Sequence, residues 1–115
     1  MHELSRVGLL AALPGETLSR IAGRMEREEV PPGRQVVREG DDGERFYVVL
    51  SGLFAVSQQD LGPRRVLRPG DYFGEVALAM NVPRTASVRA LTPSVVASCD
   101  RETFDELLRP VFADN

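Results

Sequence analysis

Residues 69–90 read PGDYFGEVALAMNVPRTASVRA, from Pro69 to Ala90. Gly74 to Met80 has no turn residue after its first glycine and is rich in helix formers, so it predicts a helix of one to two turns. Short strands are expected on both sides, at Asp71 to Phe73 and at Ala86 to Ala90. A helix interrupting β-structure needs a reason, and its flanks supply one. Gly74 lets a ligand approach the backbone closely. Arg84 lies ten residues on, near enough for its loop to fold back over the helix start. A guanidinium fork beside free N–H groups suits a phosphate. Glu75 would repel that phosphate unless the ligand also brings a hydroxyl donor such as a ribose 2′-OH. A nucleotide with one phosphate charge satisfies all three groups. An ordinary loop closed by a surface Glu75–Arg84 ion pair satisfies the residues too.

Outward from this stretch the pattern is helix, about eight strands, helix. On the N-terminal side, Val7, Leu9, Leu10 and Leu13 form an apolar patch before Pro14-Gly15. Leu18, Ile21, Ala22 and Met25 then recur at the helix period, with Glu16 and Thr17 in the first turn and Arg24 and Arg27 near the end. Helical structure is expected over about 3–27, a β-roll over about 28–100 and a last helix over about 101–109. Strand-like runs occur at Gln35 to Arg38, Arg45 to Ser51, Leu53 to Gln58, Arg64 to Leu67 and Ser94 to Cys99, besides the two already named. Ser51-Gly52 and Asp60-Leu61-Gly62-Pro63 read as hairpin turns. Asp100 reads as the N-cap of the last helix and Pro110 as its end. Val48, Leu50, Val66, Leu67, Val88 and Val96 are the expected core, some of them lining a base pocket. The fold class is mainly β with flanking helices, an antiparallel β-roll of jelly-roll or double-stranded β-helix type.

Composition removes several function classes. At 115 residues the chain is one domain, residues 1–115. Its formal charge is -3, with all 14 cations arginine, which lacks the basic footprint of a nucleic-acid module. One cysteine allows no internal disulfide, and Cys99 reads as a buried small residue. The one histidine is His2, so neither a multi-histidine metal site nor a cupin-type enzyme is expected. No nucleophile–base pair supports catalysis, and no apolar run is long enough to span a bilayer.

The quoted stretch resembles the phosphate-binding cassette of cyclic nucleotide-binding domains. The resemblance rests on Gly70-Asp71, Phe73-Gly74-Glu75, the short apolar run Val76 to Leu78, Pro83-Arg84, Thr85, Ala86 and Ser87. Pro32-Gly33, Arg38-Glu39-Gly40-Asp41 and Phe46 to Gly52 resemble the family upstream, so the likeness covers roughly 5–108. It implies that Glu75 accepts from the ribose 2′-OH and that Arg84 pairs with the cyclic phosphate. Backbone N–H groups of Gly74, Ala77 and Ala86 and the Thr85 hydroxyl would add phosphate donors. Arg65 would lie in the strand facing the base; an arginine there, or a threonine at the Thr85 position, can also serve guanine. Phe73, Val76, Pro83 and Val66 complete the expected ligand-binding set.

The function so implied is a regulatory sensor that binds cAMP or cGMP, with cAMP favoured, and signals through its flanking helices. It would be a cytoplasmic part of a larger protein such as a transporter, channel or other effector, with the effector in the same or another chain. No nucleic acid, membrane contact or cofactor is expected, and a dimer is admitted. The alternative is a ligand-free β-roll interaction module. Little chain follows the last predicted helix, so the helix that caps the base in the family is expected to be missing or one turn long, with Phe112 as its candidate lid residue.

Overall fold

The computed structural model describes residues 13–59 and 62–113. The patch at Val7, Leu9 and Leu10, His2 and the Asp60-Leu61 half of the second turn lie outside them. Helix α1 (Gly15–Gly23) is followed by β1 (Glu26–Val30), β2 (Gln35–Val37), β3 (Arg45–Ser51), β4 (Phe54–Gln58), β5 (Gly62–Leu67) and β6 (Tyr72–Phe73). Helix α2 (Glu75–Met80) interrupts the strands before β7 (Ser87–Ala90) and β8 (Ser94–Asp100). The chain closes with α3 (Arg101–Thr103), a π-helical turn (Phe104–Leu108) and α4 (Arg109–Ala113).

The strands form two four-stranded sheets, β1-β8-β3-β6 and β2-β7-β4-β5, with every pairing antiparallel. Strand β3 explains why its sequence is apolar without alternation: both of its faces are buried. Phe46 and Val48 pack beneath the helices with Leu18, Ile21, Leu78, Cys99, Phe104, Leu107 and Leu108. Tyr47 and Val49 face the other sheet, among Val37, Phe54, Leu67, Phe73, Val88 and Val96.

Four expectations need correction. The helix expected to run to about residue 27 ends at Gly23, and strand begins at Glu26: β1 is an edge strand whose first four residues are charged and exposed, so it carries no apolar signal. Ser51-Gly52 is not a hairpin turn, because β3 and β4 belong to different sheets. Gly52, at φ 85°, swings the chain from one sheet to the other, and any Cβ there would collide with Ser94. Val66 is not core; it is 43% exposed because Leu67 takes the inward position on β5.

Pro110 does not end the last helix. The Arg109 N–H donates to the Phe104 carbonyl, five residues back, and a new α-helical turn then begins with Pro110 in its first turn, where a missing N–H costs nothing. Asp100 does cap the segment, accepting from the Thr103 N–H at 2.9 Å.

Candidate functional site

Helix α2 starts at Gly74, whose φ of 95° puts it in the left-handed region. A Cβ on Gly74 would lie 2.9 Å from both the Arg45 carbonyl oxygen and Arg84 Nη1, so the position needs glycine twice over. Arg84 folds back as its spacing suggests. Its Nη1 donates to the Gly74 carbonyl at 3.2 Å and its Nη2 to the Arg45 carbonyl at 2.9 Å. Its backbone is fastened to the 40–41 loop by Gly40 N–H to Arg84 O at 2.9 Å and Arg84 N–H to Asp41 O at 2.8 Å. The guanidinium lies 6.0 Å from the Tyr47 ring centroid, a cation–π contact.

Arg84 is only 7% exposed, yet among the described residues no carboxylate forms an ion pair with it. Arg20, Arg24, Arg34, Arg45, Arg101 and Arg109 all have such partners. The surface Glu75–Arg84 ion pair of an ordinary loop therefore does not form. Burial holds the Arg84 pKa below its usual value, partly offset by Tyr47, Glu44 and Glu75. An arginine still stays charged, so a buried cation is left with two neutral carbonyls, three further donors and, among the described residues, no counter-anion.

Arg84 borders a cavity of about 180 Å³. Phe73, Gly74, Glu75, Val76, Ala77, Arg84, Thr85, Ala86 and Arg65 all line it; Val66 and Pro83 do not. Glu75 is partly buried, and desolvation raises its pKa against the lowering pull of backbone donors at Val76 and at Glu75 itself and the charges of Arg65 and Arg84. The cavity thus offers a hydroxyl acceptor and an anion donor side by side.

Its remaining wall is apolar and was not read from the sequence. Val37 pairs with Val88, Val88 with Val56, and Val56 with Arg65, so one cross-strand row runs through β2, β7, β4 and β5. The row offers three valines to a flat apolar group and ends on a guanidinium. Only Val88 and Arg65 of the four were singled out in advance, because the row exists only once the strands are in register.

Gly43 is the other residue the sequence reading missed. A Cβ there would stand 2.8 Å from Ala77 Cβ and from Arg84 Cζ and Nε, so its bareness makes the seat for the guanidinium. The glycine sits among turn-forming residues and gives no sign of this in sequence.

A larger cavity of about 330 Å³ is also lined by Arg84. Its three acids, Asp41, Asp42 and Glu44, balance its three arginines, Arg38, Arg45 and Arg84, whereas Arg65 and Arg84 outnumber Glu75 in the smaller cavity, which is the better place for an anion. Among the described residues there is no metal-binding cluster and no helix long and apolar enough to cross a membrane. Phe112, the candidate lid residue, is not at the site: its ring packs on Phe46, Tyr72 and Phe104 at 5.4–5.8 Å. Cys99 is fully buried, and its thiol is pushed up to about 11.

The family model described as "Cyclic nucleotide-binding domain" matches residues 27–110. The cAMP-dependent protein kinase regulatory subunit of Eremothecium gossypii is 41% identical over 108 residues, which are 94% of this chain and 24% of the relative. The solved structure of cAMP-bound PfPKA-R superimposes with a TM-score of 0.93 at 29% identity, covering 98% of this chain and 40% of that one. A regulatory subunit of a cAMP-independent protein kinase A from Trypanosoma brucei, as a triple mutant bound to cAMP in its A site, gives 0.89 at 27% identity, with 98% and 43% covered. The chain spans about a quarter of the length of the curated relative.

Proposed function

The chain belongs to the cyclic nucleotide-binding domain family, and from that premise we propose that the Gly74–Arg84 cavity binds a cyclic nucleoside monophosphate, cAMP in preference to cGMP. The observation that carries the proposal is Arg84, a buried guanidinium with no carboxylate partner among the described residues, lining a cavity that also holds Glu75. The cyclic phosphate takes the free donors of Arg84, the ribose 2′-OH donates to Glu75, and the base lies along Val37, Val88 and Val56. The backbone of Gly74, Ala77 and Ala86 and the Thr85 hydroxyl provide further donors to the phosphate.

The preference for cAMP has support in the relatives. The Eremothecium protein is named for cAMP, and PfPKA-R is solved with it. The trypanosomal subunit, described as cAMP-independent, binds cAMP in a variant given an alanine, then an arginine seven residues later, then a second alanine. This chain carries Ala77 and Arg84 at that spacing, with Thr85 where the variant has its second alanine.

The domain is regulatory rather than catalytic, as are the subunits it matches. We place it as one domain over residues 1–115, in the cytoplasm, acting on a protein kinase catalytic partner. The relatives give no support to a transporter or channel. Calorimetric titration with cAMP and cGMP side by side tests the reading: both bind, cAMP more tightly. If neither binds, nor raises the melting temperature at millimolar concentration, the domain is a ligand-free interaction module.

A further inference from the structure

Helix α2 has a start that lines the cavity and an end that meets the C-terminal segment. The last carbonyls of any helix lack partners within it. Here those of Ala77, Leu78 and Ala79 find partners. Ala77 O accepts from the backbone N–H groups of Asn81 and Val82, the latter at 3.2 Å. Leu78 O accepts from Arg109 Nη2 at 2.8 Å and, more weakly, from Arg101 Nη1 at 3.5 Å. Ala79 O accepts from Arg109 Nη1 at 2.8 Å. One guanidinium from the C-terminal segment therefore spans two consecutive carbonyls of α2, and its charge complements the negative end of the helix dipole.

Arg109 is itself fixed. Asp105 Oδ1 accepts from its Nη2 at 2.7 Å and its Nε at 3.0 Å, and its Cζ lies 5.8 Å from the Phe104 ring centroid. Arg109 also follows the π-helical turn directly. Any rotation of the segment about that turn must withdraw the fork from α2.

We propose that Arg109 is a positioning residue for nucleotide binding: it clamps the end of α2 to the C-terminal segment, so that occupancy of the cavity and the seating of that segment are coupled. The inference rests on the reading of the cavity as a cyclic nucleotide site. Arg109 touches no ligand; it acts by holding the helix whose first residues, Gly74 to Ala77, line the cavity. The same overall arrangement accompanies bound cAMP in PfPKA-R, where the likeness covers 98% of this chain, so the clamp should favour binding.

The test compares wild type, Arg109→Met and Arg109→Lys by cAMP titration, ligand-free melting temperature and amide hydrogen exchange with and without cAMP. Coupling free energies of ordinary size lead us to expect about a tenfold loss of affinity in Arg109→Met. In wild type, cAMP slows exchange in both α2 and residues 107–113. In Arg109→Met it slows α2 alone. Arg109→Lys, which keeps the charge but can engage only one carbonyl well, falls between, and it serves alone if the Met variant does not fold. The proposal is overturned if the variants bind as wild type does, or if cAMP still protects residues 107–113 in them. Failure of wild type to bind either nucleotide overturns the cavity reading and this inference together; binding by wild type with unaltered variants overturns this inference alone.

Discussion

Gly43 and Arg84 occupy one another's space: a single methyl on the glycine would stand 2.8 Å from the arginine's Cζ and Nε. The guanidinium cannot keep both its carbonyl bonds and an added Cβ. Gly43→Ala should therefore shift Arg84 or α2, lower stability by about 1–3 kcal/mol as overpacking does, and weaken cAMP binding more than tenfold. Calorimetry alongside thermal melting separates the two effects; unchanged affinity would show that Arg84 has another equally good seat.

The carboxyl of Glu75 gives opposite pH trends for binding and for stability. Burial raises its folded pKa above the ordinary 4.5. In the ligand-free domain it therefore contributes stability that is full below the unfolded pKa and lost as pH rises through the folded one. Binding needs the carboxylate, so affinity falls as pH drops toward that same raised pKa. Glu75→Gln should melt higher than wild type at neutral pH, with the gap closing on acidification, and its weakened affinity should be flat over the same range. Parallel wild-type and variant profiles would remove Glu75 from the ribose site.

Arg65 ends the valine row and lines the cavity. A guanidinium fork fits the O6 and N7 acceptors of guanine, whereas adenine presents an amino donor beside N7. Arg65→Ala should weaken cGMP by about tenfold, as expected for losing a charged hydrogen bond, and cAMP by much less. Paired titrations check this; an equal loss for both nucleotides would mean that Arg65 does not meet the base.

Phe112 is a core residue at the end of the chain. It closes an aromatic cluster with Phe46, Tyr72 and Phe104. Phe112→Ala should cost about 2–3 kcal/mol of stability, at or just below the range of about 3–5 kcal/mol for deleting a fully packed phenylalanine, because it is half-buried. Nucleotide affinity at a temperature where the variant is folded should change by less than threefold. A larger loss of affinity at full folding would return Phe112 to the lid.

How much of this was legible follows from where the information lies along the chain. The cassette was legible because Gly74, Glu75 and Arg84 fall within one short stretch, and their chemistry is local: a left-handed glycine, a carboxylate and an arginine beside a helix start. Strand β3 was legible as a strand, but its burial on both faces was not: only Val48 and Leu50 were expected in the core, whereas Phe46, Tyr47, Val48 and Val49 are buried. Strand β1 was not legible, because an edge strand can be wholly charged, and its pairing partner β8 lies some 70 residues away. The valine row is a product of register among four strands, and Val66 was misassigned for the same reason: alternation puts it on the opposite face from Arg65 and Leu67. Pro110 marks a helix end in an α-helical frame, but the π-helical turn before it restarts the count.

The central claim is that Arg84, buried and without a carboxylate partner among the described residues, is held for the sake of a cyclic phosphate. The most direct test is the cAMP dissociation constant of Arg84→Ala against wild type at fixed pH and salt, with circular dichroism to show that both are folded. Losing a charged hydrogen-bonding partner of the phosphate predicts a weakening of about 2–3 kcal/mol, roughly 30- to 150-fold. An Arg84→Ala variant that is folded and binds cAMP as tightly as wild type would contradict the account.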